Sequence, residues 1–203
     1  MDLKFHIDEN NIAFTYVNDV KGTLNRCDVD VLIRHMSDLK EDSKYVETGS
    51  YLGCSGIIAG LTMKGNPIIY CHDLWVQDMN ELATEGSPPP KTDDYFYQFY
   101  KNVSTNKLRR NVIPIRGDSA YTLGIHEDES IDLAFIDGDH SYEGVIKDLE
   151  AIYDKMKPGA VILCHDCQPG NEVERGIASF VKSKNIDDVS SYHHSSIVSI
   201  VKK

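Results

Sequence analysis

The sequence predicts an α/β fold, a doubly wound and mostly parallel seven-stranded sheet with one antiparallel strand near the C-terminus. Three observations predict it. Short apolar runs alternate with segments of helical periodicity from Tyr45 to Val181. The runs IDLAFI (131–136) and AVILC (160–164) are apolar on both sides, as strands covered on two faces must be. Each central run ends in polar residues, at the sheet edge where such folds bind ligands: Glu47-Thr48, His72-Asp73, Arg116-Gly117-Asp118, Asp137 and His165-Asp166.

The elements follow in order. Residues 3–17 read as a small hairpin around Glu9-Asn10-Asn11. Leu24, Val31, Leu32, His35, Met36 and Leu39 recur at helical spacing and make 24–40 a helix on the main sheet. Strands are expected at 45–48, 67–71, 112–115, 131–136 and 160–164, with helices at 55–63, 94–103, 142–156 and 173–181. Lys157-Pro158-Gly159 is expected to break the helix before it. Two last strands, about 189–193 and 197–201, supply the antiparallel strand. Residues 74–93, with Gly86-Ser87 and Pro88-Pro89-Pro90, interrupt the rhythm, and 74–100 is expected to be a lid or insert. Within it, YFYQFY (95–100) reads either as half core and half exposed packing, or as a wall for an apolar or aromatic-compatible substrate.

At 203 residues, 41% hydrophobic and 26% charged, the chain suits one soluble domain, 1–203. Its net charge of -11, from 21 basic and 32 acidic residues, argues against nucleic-acid backbones and anionic membranes as partners. A small-molecule partner fits that balance, and a homo-oligomer stays open. The start, MDLKFHIDENN, lacks a signal-peptide pattern, and no apolar run approaches the ~18 residues of a membrane span. Five scattered cysteines then read as reduced thiols in a cytoplasmic protein. Cys164 and Cys167 form a C-x-x-C, but the nearest further pair, Cys71-His72, lies on a strand that the topology separates widely.

Four constellations carry chemistry. In VETGSYLGCSG (46–56) a strand ends in an acidic residue, a glycine turn follows, and a helix begins; its free N–H groups suit a ligand. A purely structural turn is the alternative. Asp73 follows that turn by about 20 residues, the spacing at which a carboxylate accepts ribose hydroxyls, and Trp75 could pack on a purine. Gly117-Asp118-Ser119 could read an adenine edge. Asp137 and Asp166 are expected to face each other across the sheet edge. There a hard divalent ion, Mg²⁺ before Ca²⁺ or Mn²⁺, would relieve their repulsion, with His165 as a further ligand favouring a transition metal. His140 could serve as general base; helix capping is the alternative for it and the better reading for Asp139.

These stretches resemble a known family. VETGSYLGCS, CHDLW, GDS, FIDGDHSYEGVIKDLE and KPGAVILCHD look like the class I S-adenosylmethionine-dependent methyltransferases, with a Rossmann-like sheet. The run FIDGDHSYEG with the later HD is similar to a small branch containing macrocin-type O-methyltransferases of sugars and antibiotics and cephalosporin-hydroxylase-like proteins. The resemblance implies that Glu47, Thr48, Gly49, Ser50, Tyr51 and Ser55 hold the methionine part of S-adenosyl-L-methionine, that Asp73 and Trp75 bind its nucleoside, and that Gly117, Asp118 and Ser119 frame the adenine. It implies Asp137 as a cofactor or metal residue, Asp166 as a second metal ligand and His140 as base. His165 stands where those relatives carry an acidic residue, so a third carboxylate ligand is missing. The expected activity is O-methylation of a small hydroxylated acceptor; the alternative is a cofactor-binding non-catalytic or hydroxylase-like member of the branch.

Overall fold

The computed structural model describes residues 3–7, 15–76 and 92–203. An antiparallel three-stranded sheet opens the chain: β1 (Phe5–Ile7), β2 (Thr15–Val17) and β3 (Val20–Gly22). The strand pair expected at 3–17 forms, while its turn lies outside the described residues. The third strand was not expected, although its signal is present. Asn18 and Asp19, at φ 48 and 65, connect TYV to VKG, and a two-residue turn with both φ positive is the tight hairpin connection.

Helix α1 (Arg26–Ser37) starts at Asn25, which forms a reciprocal capping box with Asp28. There follow β4 (Lys44–Thr48), α2 (Cys54–Thr62), β5 (Ile68–Asp73), α3 (Thr92–Thr105), β6 (Val112–Arg116), the short α4 (Ser119–Thr122), β7 (Ile131–Ile136), α5 (Tyr142–Tyr153), β8 (Met156–Cys164), α6 (Glu172–Lys184), β9 (Val189–Ser191) and β10 (Val198–Val201). The seven-stranded sheet has the order β6-β5-β4-β7-β8-β10-β9, and β10 runs antiparallel to both its neighbours. The predicted sheet is therefore observed. From β4 the chain winds outward one way, and from β7 the other. That places a crevice at the C-terminal ends of β4 and β7.

Lys157-Pro158-Gly159 corrects the expectation of a helix breaker. The helix already ends at Tyr153, and the tripeptide lies within β8. Between Ile131↔Met156 and Leu133↔Val161 the pairing slips. The extra β8 residues bulge there, where a proline without N–H and Gly159 at φ 79 are tolerated.

Apolar residues pack on both sheet faces. On one, Tyr45, Leu133 and Leu163 meet α1, α2, α3 and the N-terminal sheet; on the other, Val46, Ala134 and Ile162 meet α5 and α6. The aromatic run on α3 divides: Phe99 is in the core, Tyr95 and Phe96 pack against it, and Tyr97 and Tyr100 are exposed. Among the described residues no helix is long and apolar enough to cross a membrane.

One buried polar pair has a measurable consequence. His72 Nδ1 meets Thr122 Oγ1 at 2.8 Å, and its Nε2 meets His126 Nε2 at 3.0 Å. Burial pushes His72 down to about 3, with the His126 ring adding to it, and burial pushes His126 down to about 4. Between these values and the ordinary ~6.5 the unfolded chain binds more protons than the folded one, so stability falls as pH falls. By pH ~4.5 each ring is expected to have cost about 2–3 kcal/mol. Urea midpoints at neutral and acid pH check this, and a His126→Gln variant whose acid loss equals the parent's would contradict it.

Candidate active site

The site begins with one close approach. Gly49 adopts φ 75, and a Cβ there would lie 1.8 Å from the backbone oxygen of Asp137. Its N–H donates to His72 O, while Asp137 N–H donates to Thr48 O at 3.2 Å. Thus Thr48 and Gly49 tie the ends of β5, β4 and β7 together. Only a residue without a side chain lets them meet. The turn continues through Tyr51 at φ 46 into α2, whose N-cap is Gly53.

Glu47 lies fully buried beneath this turn, with Tyr45 Oη donating to its Oε2 at 2.8 Å. Burial raises its pKa, partly offset by the Ser50 and Ser55 hydroxyls, the Cys71 thiol and the Tyr45 phenol. Its place is under the cradle. Ser50 is also buried, with its hydroxyl beside the Glu47 carboxylate. Gly49, Ser50, Tyr51, Ser55 and Asp137 line one cleft, and across it stand Gly22, Thr23 and Leu24. Sequence reasoning missed that second wall. Its signal was Gly22, where a Cβ would meet Cys54 Sγ at 2.7 Å, so that only glycine lets β3 close on α2.

Asp73 accepts from the Tyr51 and Trp75 amides, which uses one lone pair on each carboxylate oxygen and leaves others for a ligand. Burial raises its pKa despite those amides. Trp75 corrects the expectation of a base-stacking residue. It is 1% exposed, packs against Phe96 and Phe99, and donates from Nε1 to Tyr51 O. An indole buries too much apolar area to leave such a pocket. Next, Gly117, at φ 148, donates to Asp73 O, Asp118 accepts from Ala120 N as cap of α4, and Ser119 Oγ donates to buried Asp148 at 2.6 Å. Ser119 is thereby committed within the protein, while Gly117 and Asp118 stay beside the Asp73 strand end.

At the end of β7 the expected residues converge. His140 Nε2 lies 3.3 Å from Asp137 Oδ1, and its Nδ1 lies 3.6 Å from Asp166 Oδ2. Asp137, His140 and Asp166 offer ligand atoms all within 4.8 Å of one another, a mixed oxygen and nitrogen set suited to a divalent ion. Asp139 accepts from Ser141 N and so closes the turn, while the residue that caps α5 is Ser141 rather than Asp139. The contact with Asp137, against burial, raises the pKa of His140.

His165 corrects the expectation of a free metal ligand. It is 3% exposed, with Nδ1 2.9 Å from Asp137 Oδ1 and Nε2 3.2 Å from Asp28 Oδ2. Burial would lower its pKa, but Asp137 and Asp28 push it up to about 11. Both nitrogens are engaged, and His140 takes its place in the three-residue group. Asp28 lies on α1, in a part of the sequence that carries no motif.

Comparison with known proteins agrees with this architecture. A family described as a methyltransferase domain matches residues 46–167, well over half of the chain. No curated protein matches. The O-methyltransferase NovP superposes with a TM-score of 0.70 at 15% identity, over 89% of this chain and 81% of that one. The S-adenosylhomocysteine-bound methyltransferase PaMTH1 of Podospora anserina gives 0.63 at 18% identity, over 86% and 76%. The precorrin 8w decarboxylase of Methanobacterium thermoautotrophicum gives 0.62 at 18% identity, over 93% and 95%. At these identities the structures show the shared fold, and the family match shows the kinship. The chain belongs to the methyltransferase-domain family and is a class I S-adenosylmethionine-dependent methyltransferase.

Proposed function

We propose that this methyltransferase transfers a methyl group to a hydroxyl oxygen of a small acceptor: a sugar, a phenol or a natural product. One observation carries the reading. His140, oriented by Asp137, stands at the end of β7, and Asp137 also lines the cleft of the glycine turn. A base and a cofactor cradle thereby share one carboxylate. NovP, described as an O-methyltransferase, supports the choice of oxygen.

The residues fit S-adenosylmethionine. The Gly49–Tyr51 backbone would hold its methionine part, and Asp73 has lone pairs for two ribose hydroxyls. Asp118 would frame the adenine. The cofactor supplies the reactive methyl on a sulfonium, so the protein's task is positioning. His140 would take the hydroxyl proton. Its Nε2 faces Asp137, while the 3.6 Å gap at Nδ1 is too long for a hydrogen bond to Asp166 and leaves that nitrogen to serve as base. Asp137 and Asp166 also fit a divalent ion, Mg²⁺ first, which would lower the pKa of the acceptor hydroxyl. His140 as a third ligand would lose its role as base, because a coordinated nitrogen cannot take a proton.

Thermal melting with S-adenosylmethionine, repeated with EDTA and with Mg²⁺, tests both parts. At a hundredfold excess over Kd the cofactor is expected to raise Tm by about 5–10 °C. A further rise with Mg²⁺, reversed by EDTA, supports an ion at Asp137 and Asp166. A cofactor response without an ion response overturns the assisted mechanism, and no cofactor response overturns the site.

A further inference from the structure

Asp28 is the buried carboxylate that the transfer chemistry leaves unexplained. It sits on the first turn of α1, 1% exposed, and collects donors from three parts of the chain. Its Oδ1 accepts Ser195 Oγ at 2.6 Å, Ser196 N at 2.8 Å and Ser196 Oγ at 3.4 Å. Its Oδ2 accepts Asn25 N at 2.9 Å and faces His165 Nε2 at 3.2 Å. The two oxygens therefore do different work. Oδ1 ties α1 to the turn before β10. Oδ2 closes the capping box and holds the imidazole.

The second task reaches the site. A histidine ring turned over about its own axis exchanges nitrogen for carbon at each corner. Fixing Nε2 against Asp28 therefore selects the orientation in which Nδ1 points at Asp137 Oδ1, 2.9 Å away, and lies 3.5 Å from Asp166 Oδ1. The same Asp137 oxygen receives His140. A line of side chains thus runs from α1 through the end of β8 to the end of β7: Asp28, His165, Asp137, His140. Carboxylates behind imidazoles are a recurrent way to set which ring nitrogen faces a reacting centre.

We propose that Asp28 is a positioning residue of the transfer site, acting through His165 to orient Asp137 and hence His140. The proposal rests on the reading of His140 and Asp137 as the transfer site. It accounts for why an acidic residue is buried on a helix remote in sequence from every motif, and why a histidine follows β8 next to Asp166.

Ring nitrogen spectra test it without knowledge of the acceptor. The protein is labelled with ¹⁵N, saturated with S-adenosylhomocysteine, and its His140 and His165 rings are observed in long-range ¹H–¹⁵N correlations. Asp28→Asn is expected to shift both sets of ring signals by more than a linewidth while S-adenosylhomocysteine still binds. Ser195→Ala removes a bond to Oδ1 and the acceptor of Ile197 N but leaves Oδ2 untouched, so it is expected to lower Tm and leave the His140 signals in place. Should Asp28→Asn fail to fold, His165→Asn takes its place, and the His140 signals must again move. His140 signals unchanged in Asp28→Asn or in His165→Asn overturn the proposal, as does Ser195→Ala moving them as far as Asp28→Asn. Failure of the parent protein to bind S-adenosylhomocysteine instead overturns the reading of the site itself.

Discussion

Gly49→Ala is expected to unfold the active-site edge and abolish S-adenosylhomocysteine binding. Two costs add. At φ 75 an alanine pays the left-handed penalty of roughly 1–2 kcal/mol. Its Cβ would also sit 1.8 Å from Asp137 O, 2.5 Å from its carbonyl carbon and 3.0 Å from Gly138 N. These are backbone atoms, so no rotamer change relieves the clash, and the ends of β4 and β7 must part. Overpacking of this kind costs about 1–3 kcal/mol more. The expected fall in Tm is about 5–15 °C, from a total of roughly 2–5 kcal/mol. Gly159→Ala separates the two costs. Gly159 has φ 79, but among the described residues nothing lies within 4 Å of its Cβ position, so only the conformational penalty applies. Equal losses in the two variants would show that the crevice closes by strain alone. A Gly49→Ala protein that melts and binds like the parent would remove this turn from the cofactor site.

The strand ends were legible because the chain places polar residues where buried apolar runs stop. That pattern survives without knowledge of packing, and it located Asp73, Asp137 and Asp166 together at one sheet edge. Asp139 was legible for the same reason, since a carboxylate two residues before the cap Ser141 has a local role. Where the reading failed, a distant partner decided. Trp75 is next to the Asp73 strand end, but its indole is claimed by Phe96 and Phe99 on α3. His165 borders the site, but Asp28, 137 residues away in sequence, takes its second nitrogen. Lys157-Pro158-Gly159 carries strong breaker residues, yet the slipped pairing of β7 and β8 absorbs them. Asn18-Asp19 was a local signal that went unused, and with it the β3 edge that walls the cleft.

His140→Ala is expected to reduce methyl transfer by about 10²–10⁴-fold, the range for removing a positioned general base. S-adenosylhomocysteine affinity should hold, because His140 is not among the residues that line the glycine-turn cleft. The loss belongs to kcat, since the proton moves only as the methyl group does. The pH profile supplies an independent readout. The base acts in its neutral form. The Asp137 hydrogen bond, opposed by burial, raises the His140 pKa, with the nearby charges of Asp137 and Asp166 adding to the rise. Transfer by the parent enzyme should therefore decline as pH falls through that raised value, giving an acid limb above the ordinary ~6.5. Asp137→Asn removes the largest cause and should move the limb to lower pH. In His140→Ala the limb should vanish, leaving a slow rate that rises with the ionisation of the acceptor hydroxyl itself. The assay follows S-adenosylhomocysteine release with catechol, sugar and phenol acceptors, using whichever the parent methylates. Turnover by His140→Ala within about tenfold of the parent, or an unchanged acid limb, would assign the proton to another group.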